Sequence, residues 1–263
     1  MTSDKPLFIG IDLAWSARNS SGCAVIQDGR LVETRGDLVT LEEIVEFIAG
    51  HLSPTGGAVV AVDAPLRVPN LTGIRPCERE LNAEWRRYQA GAHPANRALL
   101  TKDGHVRGEA LVDLLVSRHR FAETTTIPRR SPDRLICEIY PHPAHVSLFG
   151  LEKTLKYKRS RMVERRMELL RYRQHLRDLR DAKPSLKKTK DLLVRTEIES
   201  LRGRQLKAYE DILDALTCAY IAYYLWWHGP RRARTYGTLA DGHIIVPVTP
   251  QMAQRMDTSL PQR

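Results

Sequence analysis

No apolar stretch in this chain reaches the ~20 residues that a bilayer-spanning helix requires, and the first residues lack the basic-then-apolar pattern of a secretory leader. Both absences predict a cytoplasmic protein with no membrane association. Cysteine is scarce: Cys23, Cys77, Cys137 and Cys218 are scattered and form no close pair of metal-ligand type. They read as reduced, buried small hydrophobes. Internal repeats and low-complexity tracts are also missing. Hydrophobic residues make up 42% of the 263, which excludes global disorder and leaves ample material for a core.

What the chain does have is a local excess of positive charge. The formal net charge is +10. Between Lys153 and Lys207 there are 19 Lys and Arg against 7 Asp and Glu, a surplus of 12, so the remainder stands at −2. A cationic field confined to one segment attracts polyanions, and DNA or RNA is the expected partner. The same run also reads as a pair of solvated charged helices.

Residues 7–13 read as a buried strand, and 21–27 and 31–36 flank Asp28-Gly29, a two-residue hairpin signal. A helix is expected over 41–52, with Thr40 and Glu43 as a capping box, followed by a strand over 58–63. Helices are expected at 77–89 and 108–121. A third apolar run, Leu135 to Tyr140, stops at Pro141, after which His142 and His145 read as loop or helix-cap residues. The basic segment predicts helices at 158–181 and 187–202, broken around Lys183-Pro184-Ser185. A strong helix is expected over 206–227 and a short strand over 244–247. The order strand, hairpin, helix, strand, with wholly apolar first and last runs, suits a mixed sheet covered on both faces.

Four acidic residues stand out against this pattern. Asp12 ends the run Leu7-Phe8-Ile9-Gly10-Ile11, Asp63 ends Ala58-Val59-Val60-Ala61-Val62, and Asp211 and Asp214 lie three apart on the late apolar helix. A carboxylate at the end of a buried strand is costly to desolvate unless something pairs with it, and helical residues three apart share a face. Singly, each reads as a turn or surface acid. Together they predict converging oxygen ligands for Mg²⁺ or Mn²⁺, since an all-oxygen set suits hard ions better than zinc. One or two such ions can serve phosphodiester cleavage.

The motifs Ile9-Gly10-Ile11-Asp12, Ala61-Val62-Asp63-Ala64-Pro65 and Asp211-x-x-Asp214-Ala215-Leu216 together resemble the ribonuclease H-like superfamily, and the late Asp-Ala-Leu helix is similar to its Holliday-junction resolvase branch. More closely, the chain resembles an uncharacterised family of predicted ribonuclease H-like nucleases, domain-of-unknown-function family 429. The matching pieces are Asp63-Ala64-Pro65, Arg75-Pro76-Cys77-Glu78-Arg79-Glu80-Leu81, Glu138-Ile139-Tyr140-Pro141, Tyr157-Lys158 and the helix acids. The resemblance implies an α/β fold, a ribonuclease H-like mixed sheet flanked by helices, and metal ligation by Asp12, Asp63, Asp211 and Asp214. The chain reads as one such domain over 1–263. Its core lies at about 5–65, 133–150 and 205–248, with helical insertions at about 75–122 and a basic one at 153–204.

Glu138 lies within an apolar strand and reads as a fifth metal-site acid or a general base, or as a buried partner of Arg75 or Arg79. Arg75, Arg79, Lys158, Arg161, Arg165 and Arg166 are the candidate phosphate contacts. Two other functions share these features. A non-catalytic nucleic-acid-binding module would keep the fold and the basic segment. An actin-like phosphotransferase would need a glycine-rich phosphate turn after the first-strand acid, but Asp12 is followed by Leu13-Ala14-Trp15-Ser16.

Overall fold

The computed structural model describes residues 5–101, 104–158 and 161–257. Strands β1 (Leu7–Asp12), β2 (Ser21–Gln27) and β3 (Arg30–Leu38) form an antiparallel meander. Its tight turn is Asp28-Gly29, both with positive φ, the combination that matches the right-handed twist of the flanking strands. Helix α1 (Leu41–His51) begins in the expected capping box: Glu43 N–H donates to Thr40 Oγ1, and Thr40 N–H donates to a Glu43 carboxylate oxygen. It leads into β4 (Ala58–Asp63), which lies parallel to β1 in a register that sets Asp12 opposite Asp63.

Helices α2 (Pro76–Trp85), α3 (Arg97–Leu100) and α4 (Arg107–His119) follow, then the short β5 (Ala122–Glu123) and β6 (Arg134–Glu138). β6 runs parallel to β4, giving a six-stranded mixed sheet in the order β3-β2-β1-β4-β6-β5. Beyond it come α5 (Pro141–Phe149), α6 (Met162–Asp178) and α7 (Gly203–His228). The chain closes with a separate hairpin, β7 (Ala233–Thr238) and β8 (Gly242–Pro247), and α8 (Pro250–Asp257). Among the described residues, no helix is long and apolar enough to cross a membrane.

Alternation along the strands divides the core into two layers. Ile9, Ile11, Val60, Val62 and Ile136 face α1 and α4. Phe8, Val59, Ala61 and Cys137 face α7. Gly10 belongs to the second set, because a Cβ there would lie 2.0 Å from Ala215 O and 2.1 Å from Ala219 N. Gly22 on β2 has the same relation to Asp211, whose carbonyl oxygen would be 2.2 Å away. Two glycines on adjacent strands therefore let the α7 backbone rest directly on the sheet. A third core joins α2, α5, β7, β8 and α8, with Trp85 Nε1 donating to Tyr236 Oη at 2.6 Å.

Two expectations fail. The helix expected over 187–202 is reduced to a single π turn at Asp191–Arg195. Its first residues pair instead with the β2–β3 turn, through Leu31 N–H to Lys187 O and Lys187 N–H to Gly29 O. Downstream, the Thr196 carbonyl accepts a hydrogen bond from Arg173. Conversely, the segment after Pro141 is helical, and both His142 and His145 lie on α5. Pro141 and Pro143 sit in the first turn, where no intrahelical N–H donor is required.

The Gly10 contact predicts that Gly10→Ala will cost about 3 kcal/mol or more, because the new methyl meets backbone that cannot rotate away. Denaturant unfolding is the measurement. A loss below about 1 kcal/mol would mean that α7 can lift from the sheet.

Candidate functional site

The parity that places Gly10 under α7 also fixes the direction of the strand-end acids. Asp12 shares a face with Phe8 and Gly10, and Asp63 with Val59 and Ala61, so both side chains emerge on the α7 side at the carboxyl ends of neighbouring parallel strands. Asp214 comes to the same place from α7 and is fully buried. The three carboxylates lie within one another's field, and Lys158 is the cation common to all of them.

Lys158 Nζ stands 2.7 Å from Asp214 Oδ2. Asp214 Oδ1 accepts from Tyr157 Oη at 2.5 Å and from Tyr172 Oη at 3.1 Å. Tyr172 is held in turn by a short hydrogen bond with Thr217, one turn along α7. Burial alone would raise the Asp214 pKa, but Lys158 and the Tyr157 hydroxyl hold it below the ordinary carboxylate value. Asp12 and Asp63 keep partial solvent contact, yet the surrounding protein strips much of their hydration. For Asp12, burial and then the neighbouring Asp214 and Asp63 outweigh Lys158 and raise the pKa well above normal. For Asp63, burial with Asp214 and Glu138 pushes it up to about 7. Burial opposes the charge on Lys158, but the three acids together raise its proton affinity well above normal.

The other expected site residues are placed differently. Asp211 lies on the same helix face as Asp214 but is engaged by the Lys207 ammonium, four residues earlier. Glu138 points to the opposite face of the sheet, with Ile136, because it sits one residue out of phase with Cys137. There it accepts a fork from Arg75, with Nη2 to Oε1 at 2.5 Å and Nη1 to Oε2 at 2.9 Å, and a bond from Leu66 N–H. Arg75 also donates from Nε to Glu78 and from Nη1 to Arg67 O.

Arg75 is therefore a buried structural cation, and the phosphate contact expected of it does not fit these surroundings. Arg165, half-buried, is also committed within the protein: it forms a fork on buried Glu210 that ties α6 to α7. Among the described residues, Arg166 reaches the Leu201 carbonyl, at 3.3 Å. Lys158, also expected at phosphate, is turned onto Asp214. Arg79 on α2 and Arg161 at the start of α6 are exposed.

Tyr172, Thr217, Lys207, Glu78 and Glu210 were not foreseen. The Lys207–Asp211 and Arg75–Glu78 spacings were readable as helical pairs. Nothing in the sequence links Tyr172 to Asp214. His145, on α5, is fully buried among Phe149, Tyr157 and Tyr172, and neither ring nitrogen has a hydrogen-bond partner among the described residues. Burial, together with nearby His142, lowers its pKa to about 3, so it is neutral. A small recess connects Asp63 to Glu138, walled by Trp15, His93 and Tyr140.

As donors for a divalent ion, Asp12, Asp63 and Asp214 fit in chemistry, since all three offer hard carboxylate oxygens. Among the described residues, no three His, Cys, Asp or Glu side chains are grouped closely enough to hold a metal as they stand. Of the three, Asp214 is the acid that meets an ammonium, that of Lys158.

The raised Asp63 pKa has a defined consequence for metal-free protein. The folded state holds this proton more tightly than the unfolded chain, whose value is near 3.8. Its contribution to stability is therefore complete below that value and is lost as pH rises through about 7. Asp63→Asn should unfold at a higher temperature than the parent protein above pH 7 in chelator, with the gap closing towards pH 4. A pH-independent difference in Tm between the two proteins would contradict this assignment.

No curated protein and no solved structure is significantly similar to the chain. A family model does match, over residues 10–237, a span that takes in every acid of the site and the whole basic segment. The chain thus belongs to the family described as protein of unknown function DUF429.

Proposed function

We propose that this protein is a metal-dependent nuclease of ribonuclease H-like fold that hydrolyses phosphodiester bonds in DNA or RNA. The observation that carries the reading is the convergence of three carboxylates, from the ends of β1 and β4 and from α7, on one edge of the sheet, with Lys158 in contact with Asp214. The strand plan supports it: an antiparallel meander followed by parallel β4 and β6, with acids on the first and fourth strands and a late helix, is what the superfamily resemblance implies.

Asp12, Asp63 and Asp214 would hold Mg²⁺ or Mn²⁺. Such an ion, when bound, stabilises charge on phosphoryl oxygens and acidifies a water. The chain's own groups position the ligands. Tyr157 and Tyr172 fix one oxygen of Asp214, and α7 seated on Gly10 fixes its height above the strands. Asp211, already engaged by Lys207, is a secondary contributor. The recess beside Asp63, with Trp15 and Tyr140 at its walls, suits the face of a nucleobase. The exposed cations of the 153–207 segment and Arg79 lie outside the acid set and supply attraction for the phosphate backbone. The unpaired, buried cysteines suit the reducing cytoplasm.

Asp12→Asn should lower Mg²⁺-dependent cleavage of labelled DNA or RNA by about 100-fold or more, given that even residues behind a metal ligand are commonly worth ~10–100-fold. Its circular dichroism should stay that of the parent, and Asp211→Asn should be milder. Cleavage by Asp12→Asn at the parental rate, or cleavage indifferent to chelator, would rule the mechanism out.

Binding is separable from cleavage. Arg79→Glu and Arg161→Glu together should weaken nucleic-acid affinity across sequences and flatten its dependence on salt by about one unit of log–log slope per lost phosphate contact. Fluorescence anisotropy over a salt series measures this. An unchanged slope would assign these arginines to a solvated face.

A further inference from the structure

We propose that the cationic surface continues to the far end of α7, where Arg30, Arg129, Arg130, Lys183 and Lys187 form a second contact for a nucleic-acid backbone. This rests on the nucleic-acid reading above and concerns how far a bound molecule reaches. The basic segment follows α7 along its length. At the acid end, Tyr157 and Lys158 grip Asp214, and Tyr172 bonds to Asp214 and to the Leu213 carbonyl. Further on, Tyr220 donates to the Pro184 carbonyl, and a His228 ring nitrogen lies 2.9 Å from the Lys183 carbonyl. The stretch of helix from Asp214 to Trp227 measures about 20 Å at its rise per residue.

Cations from two other parts of the chain meet the segment at that end. Lys187 N–H donates to the Gly29 carbonyl, which sets Lys187 beside Arg30, and both lie in the field of Asp28. Arg129 Nε donates to the Trp227 carbonyl at 3.3 Å. The Arg130 guanidinium sits over the indoles, 4.6 Å from the centre of the Trp227 ring and 5.9 Å from that of Trp226. All five of these basic residues are exposed, and among the described residues none of them forms an ion pair with a carboxylate. Asp28, the acid beside them, is already taken by Lys5 at 2.6 Å. One or two cations suit the carbonyls at a helix C-terminus, and the surplus here goes beyond that. A guanidinium stacked on an indole keeps its N–H edge for a phosphate, and cations set among aromatic rings suit a polynucleotide. Arg30, Arg129 and Arg130 lie outside the 153–207 segment, so the local charge surplus of the sequence does not reveal this surface.

A duplex rises ~3.4 Å per base pair, so reaching from the acids to this surface takes about six. The test compares two lengths of labelled nucleic acid by fluorescence anisotropy in chelator, which separates binding from cleavage. A duplex of about 20 base pairs spans both ends of α7, whereas a hairpin with a stem of about four cannot. Arg130→Glu with Lys187→Glu should weaken binding of the long duplex about 10-fold or more near ~0.1 M salt, and flatten its salt dependence by about two units of log–log slope. Affinity for the short hairpin should change by less than about 2-fold, since that probe engages one end at a time. Should Arg130→Glu fail to fold, Arg30→Glu with Lys183→Glu leaves the tryptophan contacts in place and should give the same pattern. Parental affinity of both variants for the long duplex, or an equal loss on both lengths, would overturn the proposal. Binding of neither probe by the parent protein would instead remove the nucleic-acid reading itself, and this proposal with it.

Discussion

The site depends on the bare contact between α7 and the sheet. Gly10 and Gly22 remove the side chains that would hold a helix at ordinary distance, and the α7 backbone comes down onto β1 and β2. The side-chain alternation that produces this contact also turns Asp12 and Asp63 towards the helix. Asp214 faces them without needing a long side chain, and its short reach is sufficient because the backbone has already closed the gap. A cluster of desolvated carboxylates is thus a by-product of close packing, and its electrostatic cost is offset by one lysine and two tyrosines.

A second buried ionic system lies at the same edge of the sheet and on its other face. Arg75, Glu78 and Glu138 form a closed set with the backbone of Leu66 and Arg67, and the Glu138 N–H donates to His243, which burial lowers to about 4 and keeps neutral. The two systems differ in how their charges are met. In the Arg75 set both carboxylates are hydrogen-bonded to the one guanidinium, as in a structural network. In the aspartate set Asp214 is the acid that touches a cation, while Asp12 and Asp63 meet none among the described residues. Unsatisfied charge, rather than burial alone, distinguishes a site from a brace.

The sequence made the central strands legible because residues buried on both faces leave continuous apolar runs, and β1, β2 and β4 appear where those runs lie. Helix α7 was legible for a similar reason, and α1 through its capping box. The approach of three acids to one another was an inference from strand ends and a helical spacing, and it needed the family resemblance to choose an edge. Glu138 was not separable from them, since its facing depends on the register of β6 against β4, which no local pattern encodes. The absent helix over 187–202 had favourable composition, but its backbone is committed to a turn more than a hundred residues earlier. α5 was obscured by prolines that are tolerated only because they fall within the first turn.

The paired grip of Tyr157 and Lys158 on Asp214 has a meaning for how variants of this protein should be interpreted. These two residues belong to the connection between α5 and α6, and Tyr172 of α6 reaches the same carboxylate. One carboxylate thus moors the entry of the basic segment as well as serving the acid cluster. Removing it would unbalance the cluster and also loosen the entry of the basic segment, leaving the Arg165–Glu210 fork to hold α6 on α7. Asp214 thus couples the basic segment to the strand ends, whereas Asp12 and Asp63 make no such contact among the described residues.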